Sequence, residues 1–210
     1  MHMKATRCIH SFQLLSPEEC IRLRADAVRV AKKSGYEDRG VGLPTNDVLI
    51  NNLSQRSIKL IHTAVKERLL PIALRYFPHL YFVLLDMLHG EEQPRPGNCF
   101  IVKYSATNSG KRGLALHRDE TLCTFNVTLD DDFTGGGTFF PTGQGGGRGG
   151  GGEYQSHNVR KAHKDLSGFI LRPEIGMAIL HDGKVLHGAA DVESGERYKF
   201  ARASPPFTQF

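Results

Sequence analysis

The chain has 210 residues, of which 40% are hydrophobic and 23% are charged. This composition is typical of a single globular domain that is long enough to bury a core. The chain contains no run of about 18 apolar residues, which excludes a membrane-spanning helix. The formal net charge is +5, but lysine and arginine are dispersed among acidic residues. The charge therefore permits nucleic-acid binding without favouring it.

Cysteine usage and the N-terminus bear on the cellular compartment. The four cysteines form no CxxC pair and stand in apolar surroundings: Cys8, Cys20, Cys99 and Cys123. We therefore expect reduced, structural thiols. The N-terminus shows no apolar signal core, so we expect an intracellular protein of the cytoplasm or nucleus. The start Met1-His2-Met3 is also compatible with an excised domain whose targeting segment has been removed.

Two helices are predicted in the first third of the chain. Ser16-Pro-Glu-Glu19 is a capping box with proline at the first helical position, and it predicts a helix that runs to about Lys33. A second helix begins near Ser54 and carries apolar residues at helical spacing, and we expect Pro71 to kink or end it. We interpret residues 1–98 as helical support and first strands of one domain.

The rest of the chain consists of short strand-like segments separated by turn residues. This pattern predicts a mainly β (α+β) fold built as a sandwich or barrel, most simply a jelly roll. The predicted strands cover residues 79–90, 99–104, 121–129, 137–140, 168–172, 175–180, 184–187 and 197–203. Residues 99–210 then form the core of the domain.

A glycine-rich segment interrupts this core. Residues 143–152 contain eight glycines in ten positions, and a polar stretch follows to Asp165. The segment lacks the GK[ST] of a phosphate loop, and its one arginine is too few for an RNA-binding tail. We predict a flexible insertion over residues 143–165.

A candidate metal site begins at His117 and Asp119. These residues stand two positions apart on a segment predicted to be extended, so their side chains share one face. Two histidines and one carboxylate on one face of a metal leave the other positions open, which suits non-haem Fe(II) and oxygen chemistry. A bare His-x-Asp pair is a weak signal, since the chain holds a second one at His163-Lys164-Asp165.

Residues further along the chain distinguish the first pair. His187 ends a strand-like segment. Arg197 follows ten residues later and is expected to open the next strand, after a turn rich in Gly, Asp and Ser. The predicted geometry returns a permanent cation to the metal site, where it can hold a carboxylate through two parallel hydrogen bonds.

His117-x-Asp119, His187 and Arg197 resemble the pattern of the iron- and 2-oxoglutarate-dependent dioxygenases. The chain is most similar to their prolyl and lysyl hydroxylase branch, including the prolyl 4-hydroxylase alpha-like proteins. Three further motifs carry this likeness: Phe125-Asn-Val-Thr-Leu129, Gly135-Gly-Gly-Thr-Phe-Phe140 and Gly195-Glu-Arg-Tyr198. The resemblance covers about residues 99–203. It implies that the second His-x-Asp motif, at His163, does not bind the metal. It implies a double-stranded β-helix, in agreement with the predicted jelly roll.

The resemblance also implies a set of site residues. His117, Asp119 and His187 would bind Fe(II), and Arg197 would bind the remote carboxylate of the co-substrate 2-oxoglutarate. Further candidates for contacts to 2-oxoglutarate are Tyr104, Asn126, Thr124 and Thr138. The implied reaction uses O₂, with ascorbate as reductant, and releases succinate and CO₂. It hydroxylates an unactivated C–H bond, on a prolyl or lysyl side chain of a protein or peptide substrate.

The polar segment 36–47 has two interpretations. Its glycine and proline residues are typical of a surface loop. The resemblance suggests instead a lid over the substrate, with Arg39, Thr45 and Asn46 as substrate contacts. Arg118, between the two metal ligands, is expected to be a structural or solvated side chain, or to reach the substrate from the rim of the site.

Two other functions stay open. One is an oxygenase or demethylase of the same superfamily that acts on nucleic-acid bases, which the pI of about 9.1 permits. The other is a catalytically silent, metal-binding jelly-roll module. The protein-hydroxylase motifs argue against the first, and the intact metal ligands with Arg197 argue against the second. A free amino acid is a further possible substrate, and collagen is not expected, because its hydroxylases are secretory-pathway enzymes.

Overall fold

Two antiparallel β-sheets form the centre of the computed structural model, which describes residues 9–37, 45–78, 99–107, 111–119, 123–142 and 167–202. Its strands are β1 (Ile9–Gln13), β2 (Asn46–Leu49), β3 (Cys99–Ser105), β4 (Leu114–His117), β5 (Cys123–Thr128), β6 (Phe133–Gly135), β7 (Thr138–Pro141), β8 (Gly168–Leu171), β9 (Met177–Asp182), β10 (His187–Ala189) and β11 (Val192–Arg202). The larger sheet has the order β1-β9-β5-β11-β3-β2, with β6 paired to β11. The smaller sheet has the order β4-β10-β7-β8. The pairs among the described residues do not close the sheets into a barrel.

Two helical segments support the larger sheet. Helix α1 (Pro17–Ser34) begins at the predicted capping box, where the Ser16 hydroxyl accepts from the Glu19 N–H and the Glu19 carboxylate accepts from the Ser16 N–H. Helix α2 (Gln55–Ala64) continues through a π-helical turn (Val65–Leu69) into α3 (Leu70–Tyr76). The wider turn falls where the missing N–H of Pro71 would interrupt α-helical hydrogen bonding. None of the described helices is long and apolar enough to cross a membrane.

Successive side chains along β11 point alternately to the two faces of the larger sheet, and both faces are buried. On β11, Tyr198 and Phe200 join the apolar cluster that packs the helices against the larger sheet. Arg197 and Lys199 are also buried, and strand geometry directs them to the opposite face, between the two sheets. This face, lined with polar side chains, is where the predicted site lies.

Strand β11 begins five residues before the predicted start at Arg197. Ser194 and Gly195, which were predicted to lie in a turn, instead extend the strand, and Val192–Gly195 pairs with β6. Gly195 has a φ of 77°, in the left-handed region that glycine adopts readily, and still pairs with Phe133, while the register shifts between Val192 and Ser194. The chain reverses earlier, at Ala190 and Asp191, between β10 and β11.

The surface-loop interpretation is wrong for residues 45–47. Thr45, Asn46 and Asp47 are buried, and β2 pairs with β3 along its whole length. The polar residues at the start of β2 break the apolar alternation that identifies a strand, and pairing with β3 satisfies their backbone. Strands β1, β4 and β6 are likewise additional to the predicted set.

Several predicted features lie outside the described residues. These are the strand at 79–90, the insertion at 143–165, the second His-x-Asp pair at His163, Cys8 and Arg39. Cys20, Cys99 and Cys123 lie within the described residues, and all three are free thiols, as predicted.

A buried carboxylate beneath α1 makes folding stability depend on pH. Asp130 is 3% exposed, its Oδ1 accepts from the Tyr198 N–H at 2.9 Å, and its Oδ2 lies 3.3 Å from Arg24 Nε. Burial raises the pKa of Asp130 to about 6, against the opposing effect of the Tyr198 hydrogen bond. The folded protein therefore holds this proton more tightly than the unfolded chain does. The resulting stabilisation is present below about pH 4 and is lost as the pH rises through about 6.

We expect Asp130→Asn to abolish this pH dependence. Between pH 4 and pH 7.5 the difference in free energy of unfolding between wild type and Asp130→Asn should change by about 2 kcal/mol, in favour of wild type at the lower pH. Urea unfolding at the two pH values measures it. Asp132→Asn is the control, because Asp132 is an exposed partner of the same Arg24. A difference that does not vary with pH would contradict the assignment.

Candidate metal centre

Three potential metal ligands converge between the sheets. His117 ends β4 and lies directly opposite His187, the first residue of β10, in the antiparallel register. Asp119 follows β4, and its backbone N–H donates to the Gly183 carbonyl at 2.9 Å, which fixes this segment against the β9–β10 turn. The predicted pairing of a His-x-Asp motif with a distant histidine is thus achieved through one cross-strand pair.

The ligand atoms are close enough to share one ion. His117 Nε2 lies 3.5 Å from Asp119 Oδ1, and His187 Nε2 lies 3.6 Å from Asp119 Oδ2. The ligand atoms of all three residues lie within 4.8 Å of one another. Two imidazole nitrogens and one carboxylate are the donor set of non-haem Fe(II) oxygenases, so the residues fit that metal.

Neighbouring groups hold each ligand in its metal-binding form. The Nδ1 atoms of His117 and His187 lie 2.8 Å and 3.0 Å from the carbonyls of Ala115 and Val185, which favours a proton on Nδ1 and a free lone pair on Nε2. Burial and the neighbouring histidines lower the pKa of His187. Burial opposes ionisation of Asp119, but the hydrogen bond and charge of the two histidines outweigh it and lower its pKa to about 2.

Thr124 supports the centre from β5. Its hydroxyl donates to Asp119 Oδ2, so the structure gives this predicted co-substrate residue a carboxylate partner. We expect Thr124→Val to weaken Fe(II) affinity by about 10- to 100-fold, since the outer hydrogen bond that orients a ligand carries an effect of this size. Competition against a colorimetric chelator measures the affinity. Thr124→Ser keeps the hydroxyl and should bind as wild type does; equal weakening in both variants would contradict the role.

Arg197 is a buried cation without a carboxylate partner among the described residues. It is 1% exposed, its Nη1 donates to the Gly137 carbonyl at 3.0 Å, and its Nε has no hydrogen-bond partner. Its Cζ lies 5.7 Å from the centre of the Phe133 ring. Burial lowers the pKa of Arg197 to about 10, well above neutrality, so the guanidinium stays charged. Such a group requires an anionic partner, which a ligand carboxylate would supply.

The remaining predicted co-substrate residues are buried on strands next to or facing β11. Tyr104 on β3 lies opposite Arg197 in the register and is 4% exposed. Asn126 is buried on β5, which pairs with β11, and Thr138 is buried on β7 of the smaller sheet. Asn126 shares its face of β5 with Thr124, two residues away. Their contacts to 2-oxoglutarate stay predictions.

The structure separates two proposed substrate residues from this site. Arg118 is exposed and donates to the Lys184 carbonyl, as expected for a structural arginine. Asn46 lies opposite Lys103 in the β2–β3 register, so it points to the face of the sheet away from Tyr104. Thr45 is buried immediately before β2, and its carbonyl accepts from Lys111 at 3.1 Å.

Sequence reasoning missed two residues of the site. Lys199 is 6% exposed, and its Nζ lies 3.3 Å from the Thr138 hydroxyl. It shares a strand face with Arg197, so strand alternation from Arg197 could have found it. His181 on β9 is fully buried, with its ring 4.5 Å from that of His187. Its position depends on the β5–β9 register, which places it opposite Thr124 and which the sequence does not specify.

Comparison with known proteins gives related sequences and folds. No protein-family model matches the chain. It is 27% identical over 195 residues to the 2-oxoglutarate and iron-dependent oxygenase domain-containing protein ICU11 of Arabidopsis thaliana, covering 90% of this chain and 43% of that protein. It is 31% identical over 137 residues to 2-oxoglutarate and iron-dependent oxygenase domain-containing protein 2 of Mus musculus, covering 65% of this chain and 32% of that protein. The chain thus spans less than half the length of these relatives.

Solved structures of similar fold include a prolyl-4-hydroxylase of Pseudomonas putida. The two share 12% sequence identity with a TM-score of 0.58, covering 96% of this chain and 95% of that one. This likeness confirms the predicted jelly-roll fold. Together, the sequence relatives and the structural neighbours confirm the resemblance predicted from the motifs. The chain is thus similar in sequence to proteins with a 2-oxoglutarate and iron-dependent oxygenase domain, and it shares the fold of a prolyl-4-hydroxylase.

Proposed function

We propose that this chain is the catalytic domain of a dioxygenase that hydroxylates an unactivated C–H bond of a prolyl or lysyl side chain in a protein substrate. The observation that carries the proposal is Arg197, a buried cation without a carboxylate partner among the described residues, which faces the same space between the sheets as the His-Asp-His centre. A metal centre alone is compatible with many functions. An enzyme that uses a dicarboxylate co-substrate requires, in addition to the metal centre, a cation that binds the second carboxylate.

The residues of the chain have distinct tasks in this reaction. His117, Asp119 and His187 would hold Fe(II), and Arg197 would hold the remote carboxylate of 2-oxoglutarate, which fixes the orientation of the co-substrate. When bound, iron and 2-oxoglutarate supply the oxidising chemistry that hydroxylates the C–H bond with O₂. We include ascorbate as the reductant that keeps the iron in its ferrous form.

Apolar side chains next to the metal centre exclude water. Phe140, Ile179 and Val185 form a buried cluster between the sheets. The Phe140 ring lies 6.2 Å from that of His187 and 5.5 Å from that of His181. This water-excluding apolar surface protects the oxidising chemistry from stray reductants and strengthens the electrostatic contacts within the site.

The choice of a prolyl or lysyl side chain rests on sequence likeness. The motifs at 125–129, 135–140 and 195–198 resemble the protein hydroxylase branch, and a prolyl-4-hydroxylase is among the structural neighbours. The three free cysteines in the described residues support a reducing compartment, so we propose a cytoplasmic or nuclear protein as substrate.

The test is substrate hydroxylation by the purified full chain. A library of proline- and lysine-containing peptides is incubated with enzyme, Fe(II), 2-oxoglutarate, ascorbate and O₂, and analysed by mass spectrometry. We expect specific peptides to gain one oxygen atom, with one succinate formed per oxygen added, and no gain with His117→Ala. Oxidation of an alkylated oligonucleotide instead of any peptide would assign the enzyme to the nucleic-acid-directed branch and overturn the proposed substrate class.

A further inference from the structure

Lys199 is a second buried cation between the sheets. It stands two residues from Arg197 on the same face of β11, and its Nζ has the neutral hydroxyl of Thr138, at 3.3 Å, as hydrogen-bond acceptor. No carboxylate of the described residues forms an ion pair with Lys199 within 4.0 Å; the ion pair of Lys103 shows what such a partner looks like, since Lys103 Nζ lies 2.8 Å from a Glu196 oxygen.

A second buried ammonium is not explained by folding. Two cations on one strand face repel each other, and burial without an anion costs each of them solvation. Burial and the charge of Arg197 lower the pKa of Lys199 well below its ordinary value, whereas Asp119 raises it. The two histidines of the centre already share the charge of Asp119. The pocket therefore has a surplus of positive charge that suits a ligand with more than one negative charge.

Strand register places Lys199 between Arg197 and the metal centre. Lys199 lies opposite Thr128 on β5, and Thr124, four residues earlier on the same face of β5, donates to Asp119 of the centre. Arg197 instead contacts the Gly137 carbonyl and the Phe133 ring, and interacts with Tyr104 and Asp130. A dicarboxylate that runs from the metal centre to Arg197 passes Lys199 on its way.

We propose that Lys199 is a second binding residue for the co-substrate, donating to the carboxylate at the metal end while Arg197 holds the remote carboxylate. This inference rests on the proposed function, because it assumes 2-oxoglutarate as the ligand. It assigns one cation to each end of the dianion. The two ends can then be distinguished with a ligand that has only one of them.

Ligand binding to the anaerobic Fe(II) form of the full chain tests this assignment. The probes are 2-oxoglutarate and 2-oxobutyrate, which keeps the 2-oxo acid group and lacks the remote carboxylate. The readout is the visible charge-transfer absorption of the bound 2-oxo acid, titrated to give a dissociation constant. We expect Lys199→Met to weaken both ligands by about 10- to 100-fold, the range of a charge-assisted hydrogen bond. Arg197→Met should weaken 2-oxoglutarate and leave 2-oxobutyrate unchanged.

Two measurements test whether a loss of ligand affinity comes from lost iron or from unfolding. Lys199→Met and the second variant Lys199→Gln should keep the iron content of wild type, and Lys199→Met should unfold at the same or a higher temperature, since it removes a buried charge. The control Lys103→Met removes a lysine that pairs with Glu196 on the other face of the larger sheet, and it should bind both ligands as wild type does.

The outcomes separate the two proposals. If folded, iron-loaded Lys199 variants bind both ligands with wild-type affinity, the inference about Lys199 is wrong and the proposed function stands. If they weaken 2-oxoglutarate alone, Lys199 serves the remote carboxylate and its placement at the metal end is wrong. If the wild-type protein shows no iron-dependent binding of 2-oxoglutarate, the proposed function itself fails.

Discussion

His117→Ala, Asp119→Ala and His187→Ala are each expected to lower iron-dependent turnover of 2-oxoglutarate by more than about 100-fold, a larger loss than an outer-shell substitution causes. The reason is geometric, because the three ligand atoms lie within 4.8 Å of one another and form one donor set. Removal of one ligand leaves two donors and an additional open position. Iron content after anaerobic reconstitution and succinate formation are the two measurements.

The matched control is His62→Ala. His62 is a partly buried histidine on α2, on the helical side of the larger sheet, so this variant removes an imidazole without touching the centre. It should keep the iron content and turnover of wild type. Wild-type iron content and turnover in any one of the three ligand variants would contradict the assignment of that residue.

Arg197→Met is expected to raise the 2-oxoglutarate concentration needed for half-maximal turnover by about 100-fold or more. Removal of one partner from a buried, charge-assisted pair costs about 3 kcal/mol. Iron content should stay at the wild-type level, because Arg197 is not among the three grouped metal ligands. Arg197→Lys should be intermediate, since an ammonium keeps the charge and loses the paired geometry of a guanidinium.

Arg24→Met is the control for the loss of an arginine near β11. The Arg24 guanidinium lies over the Tyr198 ring and pairs with Asp130 and Asp132, on the helical side of the sheet. Its loss should affect stability and leave the requirement for 2-oxoglutarate unchanged. An unaltered requirement in Arg197→Met would show that the buried cation serves the fold and not the co-substrate.

The grouping of the candidate metal ligands was predictable because its sequence signal is local. His117 and Asp119 lie two residues apart, and His187 with Arg197 forms a second cluster at fixed spacing, so four residues are found without knowledge of strand pairing. The helix ends were equally accessible, since the capping box at Ser16 is a local hydrogen-bonding pattern.

The features that were missed depend on tertiary pairing. Strand β2 contains Asn46 and Asp47, whose burial follows from pairing with β3 and cannot be inferred from their own composition. Gly195 resembles a turn residue, but it lies within β11 and pairs with Phe133 of β6. Thr124 was predicted as a ligand contact, and only the position of Asp119 after β4 shows that its hydroxyl holds that carboxylate.

The most direct test of the central claim is succinate formation from 2-oxoglutarate by the anaerobically purified full chain after addition of O₂, with and without Fe(II). We predict succinate that depends on both iron and oxygen, that is lost in His187→Ala, and that requires more 2-oxoglutarate in Arg197→Met. Absence of succinate from an iron-loaded, folded wild-type protein, together with tighter retention of Zn²⁺ than of Fe(II), would contradict the claim. The same residues would then form a metal-binding jelly roll without oxygenase activity.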